Sequence, residues 1–201
     1  MTLLRSAIIL VGGEATRANG QEKYFFRHKG KTFIERQIDA VRQVVDEIIL
    51  VARDPEQCRR FARIPAVRCI TDIRKGIGPI GGLHAGVLEA GGELIFVSAC
   101  DMPCIKTVVI SYLFDAIGDH DAAIPCWNEE MIEPLHAVYR KSVLLDYLKS
   151  HESFSLRPMI RSIDTLYIPV NDIRQFDPDL ISFTNINRLE ELRRFNDENP
   201  Q

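Results

Sequence analysis

The sequence predicts one α/β domain, a mostly parallel β-sheet with helices on both faces. Three observations carry that reading. Short apolar runs alternate with segments of helical period over the first 125 residues, the pattern of strand–crossover–strand units. Several of the runs are apolar at every position, as strands covered on both faces are. No linker, repeat or low-complexity stretch interrupts the 201 residues, a length that one domain accommodates.

The elements follow in order. Ala7–Val11 is the first predicted strand. Thr32-Phe33-Ile34-Glu35 is a capping-box sequence, and Ile34, Ile38, Val41 and Val45 then line one face of a helix. Glu47–Ala52 and Val67–Thr71 are the next strands. A helix over Leu83–Ala90 is entered through a glycine turn, and Leu94–Ser98 is the strand after it. Val109, Leu113 and Ala116 mark a helix beyond Cys104, and Ala122–Pro125 a further strand. From Glu129 the rhythm changes. Pro134–Tyr139 and Thr165–Ile168 read as strands, Lys141–Ser150 and Leu156–Ile163 as helices, and Asn187–Asn196 as a closing amphipathic helix. Residues 197–201 are expected to fray. We read 1–201 as one domain, with its halves divided at 125/126, after the strand Ala122–Pro125.

Composition narrows the function. With 46% hydrophobic and 26% charged residues the chain is an ordinary globule. A net charge of −3 argues against a nucleic-acid partner. The apolar run Ala7–Val11 is too short to span a membrane or to form a signal-peptide core, so we expect no membrane partner and a cytoplasmic location. The five cysteines (58, 69, 100, 104 and 126) include no Cys-x-x-Cys pair and read as free thiols. Histidines 28, 84, 120, 136 and 151 have no metal spacing, and Glu129-Glu130 beside Trp127 reads as a solvated loop.

In open parallel sheets, ligands bind beyond the carboxyl ends of the strands. Four stretches stand there. Leu10-Val11-Gly12-Gly13 leads from the first strand into a loop carrying Arg17 and Lys23. Paired glycines let backbone amides approach an anion, and the two cations suit a polyphosphate. The dinucleotide fingerprint is absent, because Glu14 stands where its second glycine belongs. Gly30-Lys31-Thr32 imitates the tail of a P-loop, but Phe25 occupies the required glycine, so it reads as a turn and helix cap. The second stretch, Asp72–Leu83, holds four glycines and one proline in twelve residues. It suits a rigid loop against which a flat base lies, with Gly81 leaving room for its approach. In the third, Ser98-Ala99-Cys100-Asp101-Met102-Pro103, Asp101 follows a strand and suits Mg²⁺ held with phosphate oxygens, unless it only caps the next helix. In the fourth, Thr184-Asn185-Ile186-Asn187, Asn187 reads as an N-cap with Glu190 at the third helical position, and a reach toward the metal is a second reading.

Taken together, these residues resemble the nucleotidyltransferases of Rossmann-like, GT-A type, and among them the MobA-like molybdenum cofactor guanylyltransferase family. The likeness covers nearly the whole chain. It lies in the first loop, in Asp72 with Gly78–Leu83, in Cys100-Asp101-Met102-Pro103, in Glu133-Pro134-Leu135-His136-Ala137-Val138-Tyr139 and in Asn185-Ile186-Asn187. Val11, Ala18-Asn19, Glu22 and Arg188-Leu189 depart from the family pattern. The resemblance implies transfer of GMP from GTP to a molybdopterin-type acceptor with Mg²⁺ as cofactor. It implies that Leu10, Val11, Gly12, Gly13, Gly78, Pro79, Gly81 and Gly82 hold the base, with Asp72 contacting the nucleotide. Arg17 and Lys23 would neutralise phosphates, Asp101 would hold the metal, and Asn187 would join it. Residues 1–125 would form the nucleotide half and 126–201 the acceptor half. CTP as donor, another phosphorylated acceptor and a non-catalytic nucleotide-binding homologue stay open at this stage. So does the oligomeric state, a monomer being compatible with the sequence.

Overall fold

The computed structural model describes residues 4–12, 23–74, 76–150 and 155–198. Nine strands are described: β1 (Arg5–Leu10), β2 (Arg27–His28), β3 (Lys31–Thr32), β4 (Glu47–Ala52), β5 (Arg68–Thr71), β6 (Leu94–Ala99), β7 (Ala122–Cys126), β8 (His136–Arg140) and β9 (Thr165–Pro169). Seven of them form one sheet in the order β5-β4-β1-β6-β8-β7-β9, and β2 and β3 form a separate hairpin. β8 runs antiparallel to both its neighbours, and the other pairings in the large sheet are parallel. The α/β class and the mostly parallel sheet are as the sequence predicts.

The helices are α1 (Phe33–Val41), α2 (Pro55–Arg60), α3 (Pro79–Glu89), α4 (Thr107–Ala116), α5 (Lys141–Ser150), α6 (Leu156–Ser162), α7 (Val170–Ile173) and α8 (Leu189–Glu198). β1 explains the two-layered core. Ala7 and Ile9 face Ile34, Ile38, Val41, Val109 and Leu113 from α1 and α4. Ile8 faces Leu83, Val87, Leu144, Leu148 and Met159 from α3, α5 and α6. The alternation is the period of two that a pleated strand imposes. The predicted capping box is present: the Thr32 hydroxyl accepts from the Glu35 amide, and Glu35 Oε2 accepts from the Thr32 amide at 2.7 Å.

Two helix starts differ from expectation. α3 begins at Pro79 rather than Leu83, because Gly78 caps it at φ 71° and Pro79 supplies a pre-set first position. Gly81 and Gly82 therefore lie in a helical turn and not in a loop. α8 begins at Leu189, so Arg188 takes the cap position assigned to Asn187. There Glu191, not Glu190, reaches back to the amides of Asn187 and Arg188 at 2.7 and 3.1 Å. α2, capped by Asp54 with Pro55 in its first turn, is an additional helix, and Asp-Pro is its one start signal in the sequence.

Candidate functional site

Strand order reverses between β1 and β6. β1 leads by way of α1 to β4 on one side, and the chain returns through α3 to β6 on the other. The crevice at such a switch point is where this class of sheet takes ligands. Its walls are the segments after β1 and β6, tied together where the Cys100 amide donates to the Leu10 carbonyl at 3.1 Å.

Two buried glutamines fix those walls, and the sequence reading missed both. Gln37, fully buried on α1, donates through Nε2 to the carbonyls of Ala99 at 2.7 Å and Met102 at 2.8 Å. The turn bearing Asp101 is thus clamped at both ends. Gln57 on α2 donates to the Val11 carbonyl at 3.1 Å and to the Tyr24 hydroxyl at 3.3 Å, while its Oε1 accepts from the Arg53 amide at 2.7 Å. It anchors the start of the glycine loop. A polar residue next to an apolar stripe carries no sequence mark of burial. For Gln57 the only signal was its place three residues after an Asp-Pro helix start.

Asp101 is not a helix cap. α4 starts at Thr107 behind Lys106, and that cap makes no side-chain hydrogen bond. The Asp101 carbonyl accepts from the Ile186 amide at 2.9 Å, which brings Asn187 beside the Asp101 turn. Behind this contact Ile186, Leu192 and Phe195 pack on Phe26, Phe33 and Cys104, docking α8 against the β2–β3 hairpin and α1.

On the opposite wall, Asp72 Oδ1 accepts from the Arg74 amide at 2.7 Å, and the Asp72 amide bonds the Ala52 carbonyl. A Cβ on Gly81 would lie 2.5 Å from the Arg74 carbonyl and 2.9 Å from Asp72 Oδ1. Glycine at 81 thus answers a structural demand of its own, the close approach of the first turn of α3 to the Asp72–Arg74 turn. Gly78 and Pro79 open α3, Gly82 in its first turn lies against the Leu10 side chain, Gly12 lies against the backbone of Ala52 and Arg53, and the Val11 amide bonds the Val51 carbonyl at 3.0 Å. Gly13 and Arg17 lie outside the described residues. Lys23 opens a 3-10 turn, Lys23–Phe25, and its side chain is likewise outside them.

A third group was not anticipated. Glu133, half-buried just before β8, accepts from Trp127 Nε1 at 2.7 Å. Burial pushes its carboxyl above the usual carboxylate range, and the negative charge of Asp101 adds to the push against that hydrogen bond. Glu129 and Glu130 are exposed, as a solvated turn should be. Below, a row of rings runs from Trp127 to Phe183, His136 and Phe96, with centroids 6.0, 4.9 and 5.3 Å apart. His136 is fully buried, and burial pushes it down to about 3. Neither of its ring nitrogens has a hydrogen-bond partner among the described residues. All five cysteines are free thiols.

Among the described residues no three His, Cys, Asp or Glu cluster closely enough to hold a metal by themselves. The oxygen donors present, the Asp101 carboxylate with Asn187 beside its turn, fit a hard cation that takes most of its ligands from phosphates and water.

The sequence pattern of the MobA-like NTP transferase domain matches residues 7–166. The chain belongs to that family. It is therefore a nucleotidyltransferase. It is 39% identical over 197 residues to a probable molybdenum cofactor guanylyltransferase of Methanosarcina mazei, covering 94% of this chain and 88% of the relative. It is 35% identical to the molybdenum cofactor guanylyltransferase of Desulfosudis oleivorans, covering 94% and 93%. Among solved structures, molybdopterin-guanine dinucleotide biosynthesis protein A from Archaeoglobus fulgidus superposes with a TM-score of 0.78 at 31% identity, covering 94% of this chain and 95% of that one. A nucleotidyl transferase from Methanothermobacter, at 20% identity and TM-score 0.75, shares the fold. Among the described residues no helix is long and apolar enough to cross a membrane.

Proposed function

We propose that the chain transfers GMP from GTP to the phosphate of a molybdopterin-type acceptor, with Mg²⁺, releasing pyrophosphate. The observation that carries this is the meeting at the β1–β6 switch point of three things: the glycine-bearing backbone after β1, the N-terminus of α3, and Asp101 held in a clamped turn. Names of relatives supply the guanylyl group and the molybdenum cofactor.

The chemistry is in-line displacement at the α-phosphorus, which needs positioning and charge neutralisation more than a protein nucleophile. The backbone of Leu10, Val11, Gly12 and Gly13 and the turn Gly78–Gly82, with Pro79, receives the nucleotide. The N-terminal amides of α3, which have no side-chain cap, are donors for the edge of the base. Arg17 and Lys23 neutralise its phosphates. Asp72 holds the loop beside the base in shape. Asp101, with Asn187 next to it, would hold Mg²⁺, which supplies charge for the α-phosphate and the attacking oxygen. Residues 1–125 act as the nucleotide half and 126–201 as the acceptor half.

A melting-temperature panel with GTP, CTP, ATP and UTP in the presence of Mg²⁺ tests the donor, since a ligand selective for the native state stabilises by mass action. GTP should give the largest rise. A larger rise with CTP would make the chain a cytidylyltransferase. No rise with any of the four would speak for a homologue that has lost its nucleotide.

A further inference from the structure

We propose that Trp127 and Glu133 form the subsite for the ring of the acceptor, a flat fused heterocycle presenting a 2-amino-4-oxo-pyrimidine edge. The proposal rests on the reading of the site given above and adds where, and by what contacts, the acceptor is recognised.

Position is the first ground. Asp101 follows β6, which has β1 on one side and β8 on the other. The nucleotide-side loops follow β1, β4 and β5. Trp127 follows β7 and Glu133 precedes β8, on the opposite flank of Asp101. A molecule attacking a phosphate at Asp101 from the side away from the nucleotide meets these two residues.

Preorganisation is the second ground. The turn carrying Trp127 is closed by its amide to the Met131 carbonyl at 2.8 Å, and Asn128 Oδ1 accepts from the amides of Glu130 and Met131 at 2.9 Å each. Phe183 backs the indole edge-on, and the hydrogen bond to Glu133 sets its rotation. Yet Trp127 remains 43% exposed. A large aromatic held this firmly and left open is a stacking platform for a flat ring.

Chemistry is the third ground. Glu133 gives Oε1 to the indole, and Oε2 has no partner among the described residues. Placed at the edge of that platform, the free Oε2 can accept from an N–H of such an edge, the 2-amino group or the ring N–H. A pterin has that edge, and so has guanine. The base of the nucleotide, however, is assigned to the α3 side.

Trp127 is the only tryptophan in the chain, so its emission reports stacking directly. The test titrates 6-hydroxymethylpterin into the intact protein, with inner-filter correction against free N-acetyltryptophanamide. We expect saturable quenching, and an affinity at least 10-fold weaker in Glu133→Gln, which keeps an oxygen for the indole. Affinity for Mg·GTP should change far less than affinity for the pterin in that variant. In turnover with molybdopterin, Trp127→Ala should raise the acceptor KM about 10-fold or more, and Trp127→Phe much less. Pterin binding without quenching, equal affinity in Glu133→Gln, or quenching by GMP as strong as by the pterin would overturn the subsite. Wild-type acceptor KM in both variants, with the reaction itself running, would sink the subsite and leave the proposed reaction standing. Quenching without any pyrophosphate release from GTP would do the reverse.

Discussion

Replacing Gln37 with methionine removes two hydrogen bonds at almost constant volume. The Met102 carbonyl, now paired at 2.8 Å, loses its donor, and the Ala99 carbonyl, now paired at 2.7 Å, keeps only the 3.3 Å bond from the Ser98 hydroxyl. Leaving a buried carbonyl unpaired costs about 1–3 kcal/mol, and the partly exposed Ala99 oxygen falls at the low end. Against this, the substitution deletes Gln37 Oε1, itself buried with no partner among the described residues, which returns about 1 kcal/mol. The net is about 1–3 kcal/mol of lost stability, or roughly 2–12 °C in Tm for a domain of this size. The clamped turn also carries Asp101. Mg²⁺-dependent kcat should therefore fall on the order of 10-fold or more, because small misplacements of a positioned group are costly. Melting by circular dichroism and pyrophosphate release, measured on the same sample, separate the two effects. A Tm within 1–2 °C of wild type, roughly the shift of half a kcal/mol, with full turnover would show that Gln37 neither closes the core nor positions Asp101.

Three further perturbations test other parts of the site. Asp101→Asn should leave Tm nearly unchanged and lower Mg²⁺-dependent turnover on the order of 10²-fold, since the amide keeps shape but not charge; full activity in this variant would end its assignment to the metal. Gly81→Ala should destabilise the free protein by about 1–3 kcal/mol, because its Cβ must sit 2.5 Å from the Arg74 carbonyl; an unchanged urea midpoint would return Gly81 to a role in ligand approach alone. His136 is held neutral, pushed from 6.5 down to about 3, so the unfolded chain binds a proton that the folded chain refuses. Its contribution is full above pH 6.5 and is lost as pH falls toward 3, about 2–3 kcal/mol by pH 4.5. His136→Phe should lose less stability than wild type between pH 7 and 4.5, and equal losses would refute that account.

Much of this was legible in the sequence for a physical reason. Strands buried on both faces are written as unbroken apolar runs, so Glu47–Ala52 was placed to the residue and Leu94–Ser98 missed only Ala99. Gly12, Asp72 and Asp101 were singled out because they stand just beyond such runs, where an open parallel sheet takes its ligands. Features that depend on contacts distant in the chain were not legible. Gln37 and Gln57 are polar letters that only the folded chain buries. The glycines around Pro79 disguised the first turn of α3 as loop. Trp127 and Glu133 gain meaning from Asp101 and Phe183, which the sheet brings to them from elsewhere in the sequence.

Guanylyl transfer itself is followed with label in the α-phosphate of GTP in the presence of molybdopterin, with Mg²⁺ and with EDTA. Label should enter the pterin-containing product, one pyrophosphate should appear for each labelled product, and both should stop with EDTA. Label remaining in free nucleotide while the acceptor is intact and GTP is bound, or equal transfer from CTP, would contradict the proposed transfer.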